Sequence, residues 1–455
     1  MKQRNLQHLY LRAGFGEPHN IIQQNKNTPR KTIIANLFTT SQNIKFIKVD
    51  GVKQRKKQGS NNKMMRQANR SLIKEINLKW FWQMVNSKAA LQEKMSLFWH
   101  DHFASKHRNP YLTQRQINIL HTHALGNFKE LLTAISKDAV MIAYLNNKQN
   151  KKGEPNENFA RELLELFTLG IGNYTETDIA EAARAFTGWT FDKEGNFRFN
   201  ERQHDFGSKT FLGKTGNWKG EDIINIVLQK KQTARYITTK LYQYFVNPKI
   251  NKTRIEALTD TFYRSDYNIE TLMRTIFSAD WFYEEENIGV LIKSPIEYLV
   301  SLCRTLRLQF EDDEILILMQ KALGQVLLDP PNVAGWTSNQ GWIDSSTLMF
   351  RLRMAAFLFS ATAIDFEGKD RGDVNAIFRQ AKKFEKAGVS LNWKALQQDF
   401  QGLEGNALAK ALANHLLQVP INPEVICPNP LPKNRKELLQ TLISNILSLP
   451  EYQLI

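Results

Sequence analysis

The chain has 455 residues, 42% of them hydrophobic and 11% aromatic, which is enough to bury two or three domains' worth of core and excludes a disordered or low-complexity protein. Its two cysteines, Cys303 and Cys427, exclude a disulfide framework and a CxxC metal knuckle, and no apolar run approaches the ~20 residues that span a bilayer. The formal net charge of +16 is concentrated: Lys45 to Lys74 holds ten Lys and Arg against the single acid Asp50.

The first ten residues, Met1 to Tyr10, carry no apolar export signal, and the expected compartment is reducing and cytoplasmic. The basic stretch follows, and its centre, Lys53 to Lys63, lacks hydrophobic periodicity and reads as a loop. Two readings stand for it: a solvated insertion between helices, or a grip on a polyanion through Arg55, Lys56 and Lys57. No aromatics interleave its bases, which argues against single-stranded nucleic acid as the partner.

From Ser71 to Val85, Leu72, Ile76, Trp80 and Met84 recur at i+4, the spacing of an amphipathic helix. The same style predicts helices over 91–103, 113–145, 156–169 and 178–186, with Thr175 to Asp178 supplying N-caps for the last. Thr190 to Phe199 alternates around Gly195 and predicts a short β-hairpin. Helices resume over 221–277, 293–308, 314–323 and 345–361, interrupted by the Pro-fixed loop Asp329-Pro330-Pro331-Asn332-Val333-Ala334-Gly335-Trp336. The expected fold is mainly α: a compact multi-helix, bundle-like domain over 1–362 with a small β-hairpin excursion, followed by a C-terminal helical extension over 363–455.

Six of the nine histidines (100, 102, 107, 121, 123 and 204) fall between Trp99 and Gly213, beside a carboxylate stripe. Asn158, Glu162 and Glu165 lie at i, i+4 and i+7 and share a helix face. Two carboxylates on one face need a cation, a proton or an arginine between them. A divalent metal is one answer; Arg161, four residues before Glu165, is the other. His100 and His102 point about 200° apart if helical, so both serve one site only at a helix end or in extended chain. In His204-Asp205-Phe206-Gly207, Gly207 and Gly213 permit sharp turns that present His204 or Lys209 to a cleft; the plainer reading is a turn whose Asp205 caps local amides. H-E-x-x-H, Walker and G-x-G-x-x-G motifs are absent.

At these residues the chain resembles the bacterial domain of unknown function 1800 family. The pieces that carry the resemblance are Leu11 to Gly16, Phe98 to Phe103 (FWHDHF), His123 to Phe128, Tyr144 to Asn147, Asn156 to Gly170, Ala185 to Trp189, His204-Asp205, Lys209 to Gly213, Ser294-Pro295 and Pro330 to Trp336. The combination is specific and runs from about residue 6 to 360. It selects His100, His102, His123, Asn147, Asn158, Arg161, Glu162, Glu165, His204, Asp205 and Lys209, and sets aside His107 and His121. The resemblance implies a neighbouring exported protein that looks like alkaline phosphatase or sulfatase, and with it export bound to that signal-bearing partner.

The leading expectation is a metal-dependent, hydrolase-like enzyme. His100, His102, His123, Glu162, Glu165 and His204 would bind or frame a divalent ion, Asp205 and Lys209 would act in acid–base or anion-binding roles, and Asn147, Asn158 and Arg161 would support them. A second expectation is a non-catalytic helical assembly partner of the phosphatase-like protein, with the His/Glu cluster as a buried polar network. A third is polyanion binding through the basic loop.

Overall fold

Twelve of the thirteen residues of the helix Ala90–His102 are buried, and Asp101 is the exception. A helix enclosed on every side is ordinarily apolar all round. This one carries Gln92, Glu93, Lys94, Ser96, His100 and His102, so each polar group needs its own internal partner. Glu93 takes hydrogen bonds from Trp80 Nε1 (3.1 Å) and Gln83 Nε2 (2.8 Å) and pairs with His121 Nε2 (2.8 Å). Ser96 donates to the Gln92 carbonyl (2.8 Å), and Lys94 pairs with Glu297.

The computed structural model describes residues 1–52, 63–359 and 388–455, and over these it is mainly α, with three two-stranded antiparallel sheets. Arg55, Lys56 and Lys57, and the expected boundary at 362, lie outside the described residues. The helix expected over 71–85 runs from Lys63 to Asn86 and packs on Pro110–His123 and Pro295–Leu306. The long helical stretch expected over 113–145 is three helices, Pro110–His123, Phe128–Ser136 and Ala139–Tyr144. Asn127 and Asp138 cap the second and third, accepting from backbone amides of their first turns, and this local chemistry breaks the periodic run.

The predicted hairpin is present, pairing Trp189–Phe191 with Phe197–Phe199. A second hairpin, Lys209–Phe211 with Lys214–Gly216, turns through Leu212 and Gly213, both at positive φ. The third pair joins Leu308–Phe310 to Val389–Leu391.

The described residues form two large apolar cores. One is built from residues between Leu6 and Tyr283; the other joins the Lys63–Asn86 helix to the segments from Ile296 onward. The Ala90–His102 helix feeds both, with Leu91, Met95, Phe98 and Trp99 in the first and Leu97 in the second. The helices Trp393–Asp399, Gly405–Leu416 and Arg435–Leu447, in the segment read as an extension, pack into the second core.

Candidate active site

The residues singled out in the sequence do not gather at one point. His100 and His102 both sit inside the helix and face opposite ways, as two residues 200° apart must. His100 Nε2 accepts from the Leu328 amide (3.1 Å) between the rings of Trp80 and Trp336, and burial brings its pKa down to about 3. It is therefore neutral, with Nε2 as the unprotonated nitrogen.

His102 Nε2 donates to the Phe167 carbonyl (3.1 Å), and burial holds the ring well below its ordinary pKa. The reason for that bond is local. The expected helix over 156–169 is α only from Asn158 to Glu162 and widens to π over Leu163–Thr168, which leaves carbonyls for side chains to take up. Tyr236 OH takes that of Leu166 (3.0 Å) and His102 that of Phe167.

Glu165 accepts from Tyr174 OH (3.0 Å), while burial and then Glu165 itself push Glu162 up. Arg161 does not pair with Glu165. It bridges Glu157 (3.1 Å) and Glu176 (2.7 Å) instead, and Asn158 is exposed. His123 is half-buried, 3.9 Å from Glu130. His204 Nδ1 donates to the Thr187 carbonyl (2.9 Å), with its Nε2 enclosed and without a partner among the described residues. Asp205 accepts from Arg184 Nε (2.8 Å) and from the Gly207 amide (2.8 Å), and Lys209 donates to the carbonyls of Asp205 (2.6 Å) and Gly207 (2.9 Å), so both side chains stitch one turn. Asn147 is buried and accepts from Asn150 (3.2 Å). Among the described residues, no group of three or more His, Cys, Asp or Glu side chains is placed to hold a metal ion.

Where the structure does concentrate chemistry is the one gap in the burial of the Ala90–His102 helix. Asp101 lines a cavity of about 260 Å³ that also takes in Lys240, Tyr244, Glu297, Trp336 and Trp342. Asp101 Oδ1 accepts from the Trp336 amide (2.8 Å), and its other oxygen accepts no hydrogen bond among the described residues. Burial pushes its pKa up to about 6, against the opposing pull of that amide and of Lys240. Lys240 is in turn lowered by burial, partly offset by Asp101. The two charges sense each other across the cavity and close no ion pair among the described residues.

The loop that carries Trp336 fits only because residue 335 is glycine. Gly335 has φ +82°, and a Cβ there would lie 2.3 Å from Asp101 Oδ1.

Behind Asp101 the cavity wall is ionic. Glu297 opens the helix Pro295–Leu306 in a capping box with Ser294, accepting from the Ser294 amide (2.7 Å) and giving its other oxygen to Lys94. Although burial opposes it, Lys94 and the Ser294 amide hold Glu297 below the usual carboxylate range. Lys293 donates to the Tyr452 carbonyl (2.7 Å), and burial together with Arg351 brings it down to about 7. The Tyr244 hydroxyl is shielded from solvent, and burial followed by Glu297 pushes it well above its ordinary value.

Sequence reasoning passed over Asp101, Lys240, Tyr244, Lys94 and Glu297. The signal for Asp101 and Glu297 was present: Asp101 sits between the two chosen histidines, and Ser294-Pro295 and Gly335-Trp336 belong to the matched pieces. Lys240 and Tyr244 lie in an ordinary amphipathic helix, Lys231–Phe245, and only the fold turns them inward.

Residues 8–454 match the family described as "Protein of unknown function (DUF1800)", nearly the whole chain, and the protein belongs to that family. No curated protein and no solved structure matches the chain.

Proposed function

We propose that this member of the DUF1800 family is an enzyme that acts by proton transfer on a small polar substrate bound in the Asp101 cleft. The observation that carries the reading is Asp101 itself: a carboxyl on a cavity wall, tied through one oxygen, with a pKa of about 6. A group tuned near neutrality is available in both protonation states, which is what a general acid or base requires. In its ionised form Asp101 takes a proton from a water molecule or a substrate hydroxyl; in its protonated form it returns one to a leaving group. Lys240, facing the same space with no carboxylate closed on it among the described residues, stabilises negative charge that develops there. Trp336 and Trp342 supply apolar wall for the body of the substrate. Glu297 and Lys94 act as positioning residues, since their charges satisfy each other.

The test is turnover of chromogenic phosphate, sulfate, carboxyl-ester and glycoside substrates by the full-length protein and by Asp101→Asn. The expected result is activity with a pH limb near 6 that falls at least 100-fold in the variant while the melting temperature is kept. No turnover by the parent across the panel, or turnover that survives intact in Asp101→Asn, counts against the reading.

A further inference from the structure

A larger cavity, about 820 Å³, is lined by the Leu328 end of the loop and shares no residue with the Asp101 cleft. Its rim is cationic. Arg70 and Lys74 project from one face of the Lys63–Asn86 helix, Lys106 and Arg108 from the turn after Ala90–His102, and Lys321 from the helix Glu314–Leu323. Lys74 is 3.9 Å from Glu314 and Lys106 pairs with Asp329 at 2.7 Å, the only carboxylate on the lining among the described residues. Arg70, Arg108 and Lys321 have no acidic partner among the described residues. Like charges placed one helical turn apart, as Arg70 and Lys74 are, repel unless an anion lies between them.

The floor is of the opposite character: Ile73, Ile317, Val326 and Leu327 face the cavity. Five cations from three separate elements around an apolar floor match a molecule with an anionic head and an apolar body. The volume suits a ligand of drug size rather than a bare ion.

We infer that this cavity is a binding site for a small amphipathic anion, its phosphate or carboxylate head held by Arg70, Arg108 and Lys321 and its apolar part laid on Ile73 and Ile317. Two sources could provide that chemistry, a free acylated or aromatic phosphate and the headgroup region of an anionic lipid, and the experiment separates them.

Full-length protein is titrated calorimetrically with dodecyl phosphate below its micellar concentration. Neutral dodecyl maltoside and inorganic phosphate serve as controls. One-to-one binding of dodecyl phosphate is expected, with each control at least tenfold weaker. The double substitution Arg70→Gln with Lys321→Gln is expected to weaken dodecyl phosphate at least tenfold. Arg108→Gln, away from both helices, provides a second reading should the double variant melt early. Sedimentation with phosphatidylglycerol vesicles in addition to one-to-one binding assigns the lipid source; one-to-one binding without sedimentation assigns the free molecule. Equal affinity for dodecyl phosphate and either control overturns the proposal, as does binding unchanged in both variants. Vesicle sedimentation with no one-to-one binding also overturns it, because it reports general surface charge.

Discussion

Each oxygen of Glu297 has its own partner, Lys94 on one side and the Ser294 amide on the other, and both bonds are buried. Taking two charges out of water is offset here only because each meets an opposite charge or a donor. Glu297→Gln leaves Lys94 in a closed, apolar surround that includes the rings of Phe15 and Tyr244. Breaking one half of such a pair costs about 3–5 kcal/mol, more than removing both halves. Chemical denaturation of Glu297→Gln should show that loss, and the double variant Lys94→Met with Glu297→Leu should recover a good part of it. A double variant no better than the single would mean that the pair itself supplies net stability. His100 belongs to the same scale. Its imidazole is read correctly as a buried acceptor only once the Leu328 amide is known to face it, and nothing in the sequence brings residues 100 and 328 together.

Among the elements, the loop from Leu328 to Trp336 is held at one end by His100 and at the other by Asp101. Leu328 sits at φ +71°, a left-handed conformation that costs a non-glycine residue about 1–2 kcal/mol and persists because its amide is pinned. Gly335→Ala places a methyl group against the Asp101 carboxylate and is expected to destabilise the protein by about 1–3 kcal/mol. Hydrogen exchange should quicken over 328–336 and stay unchanged in the Phe128–Ser136 helix. Uniform quickening would mean the loop is not a separate unit. Element by element, the sequence was most legible where periodicity was long and caps were explicit. The helix Glu314–Leu323 and the Trp189–Phe199 hairpin lie where spacing put them. The π segment at Leu163–Thr168 was not legible, because its apolar spacing is compatible with an ordinary helix until Tyr236 and His102 take up its carbonyls.

For the whole molecule, histidines turn burial into acid sensitivity. Burial lowers eight of the nine, at positions 8, 19, 100, 102, 107, 123, 204 and 415. A histidine kept neutral by the fold takes up its proton only on unfolding, so below its ordinary value near 6.5 the unfolded chain binds more protons and stability drops as the pH drops. Five groups oppose this, the carboxyls of Asp101, Asp138, Glu162 and Asp313, all raised by burial, and His121. Asp101 and Asp138, both raised to about 6 by burial, bind protons in the folded state as pH drops from about 6 to about 4. His121, which burial would lower, is raised overall by Glu93; its contribution is full below its ordinary value and fades as pH climbs through the folded one. Eight lowered rings outnumber the five raised groups, and carboxylates held low, such as Glu297 and Asp205, act in the same direction as the rings, which decides the sign. The melting temperature should fall by about 5–10 °C between pH 7 and pH 5. A flat or rising profile would show that the buried rings are protonated in the folded protein. This clustering of histidines drew the sequence reading toward a metal site, yet the residues themselves are spread through the cores and their edges, each answering to a separate carbonyl, amide or carboxylate. A linear pattern shows that imidazoles are near one another in the chain, not which way each turns.

His100 and Asp101 are a single peptide unit apart, and between them they rivet both ends of a strip of chain whose Leu328 end lines the larger cavity and whose Trp336 end lines the Asp101 cleft. Neither rivet can slip without loading the other, since both stand on the last turn of a helix buried on every other side. The strip is therefore shared between the linings of both chambers. If an occupant of one chamber shifts the strip, an occupant of the other must feel the same coupling free energy, as reciprocity between two binding equilibria demands.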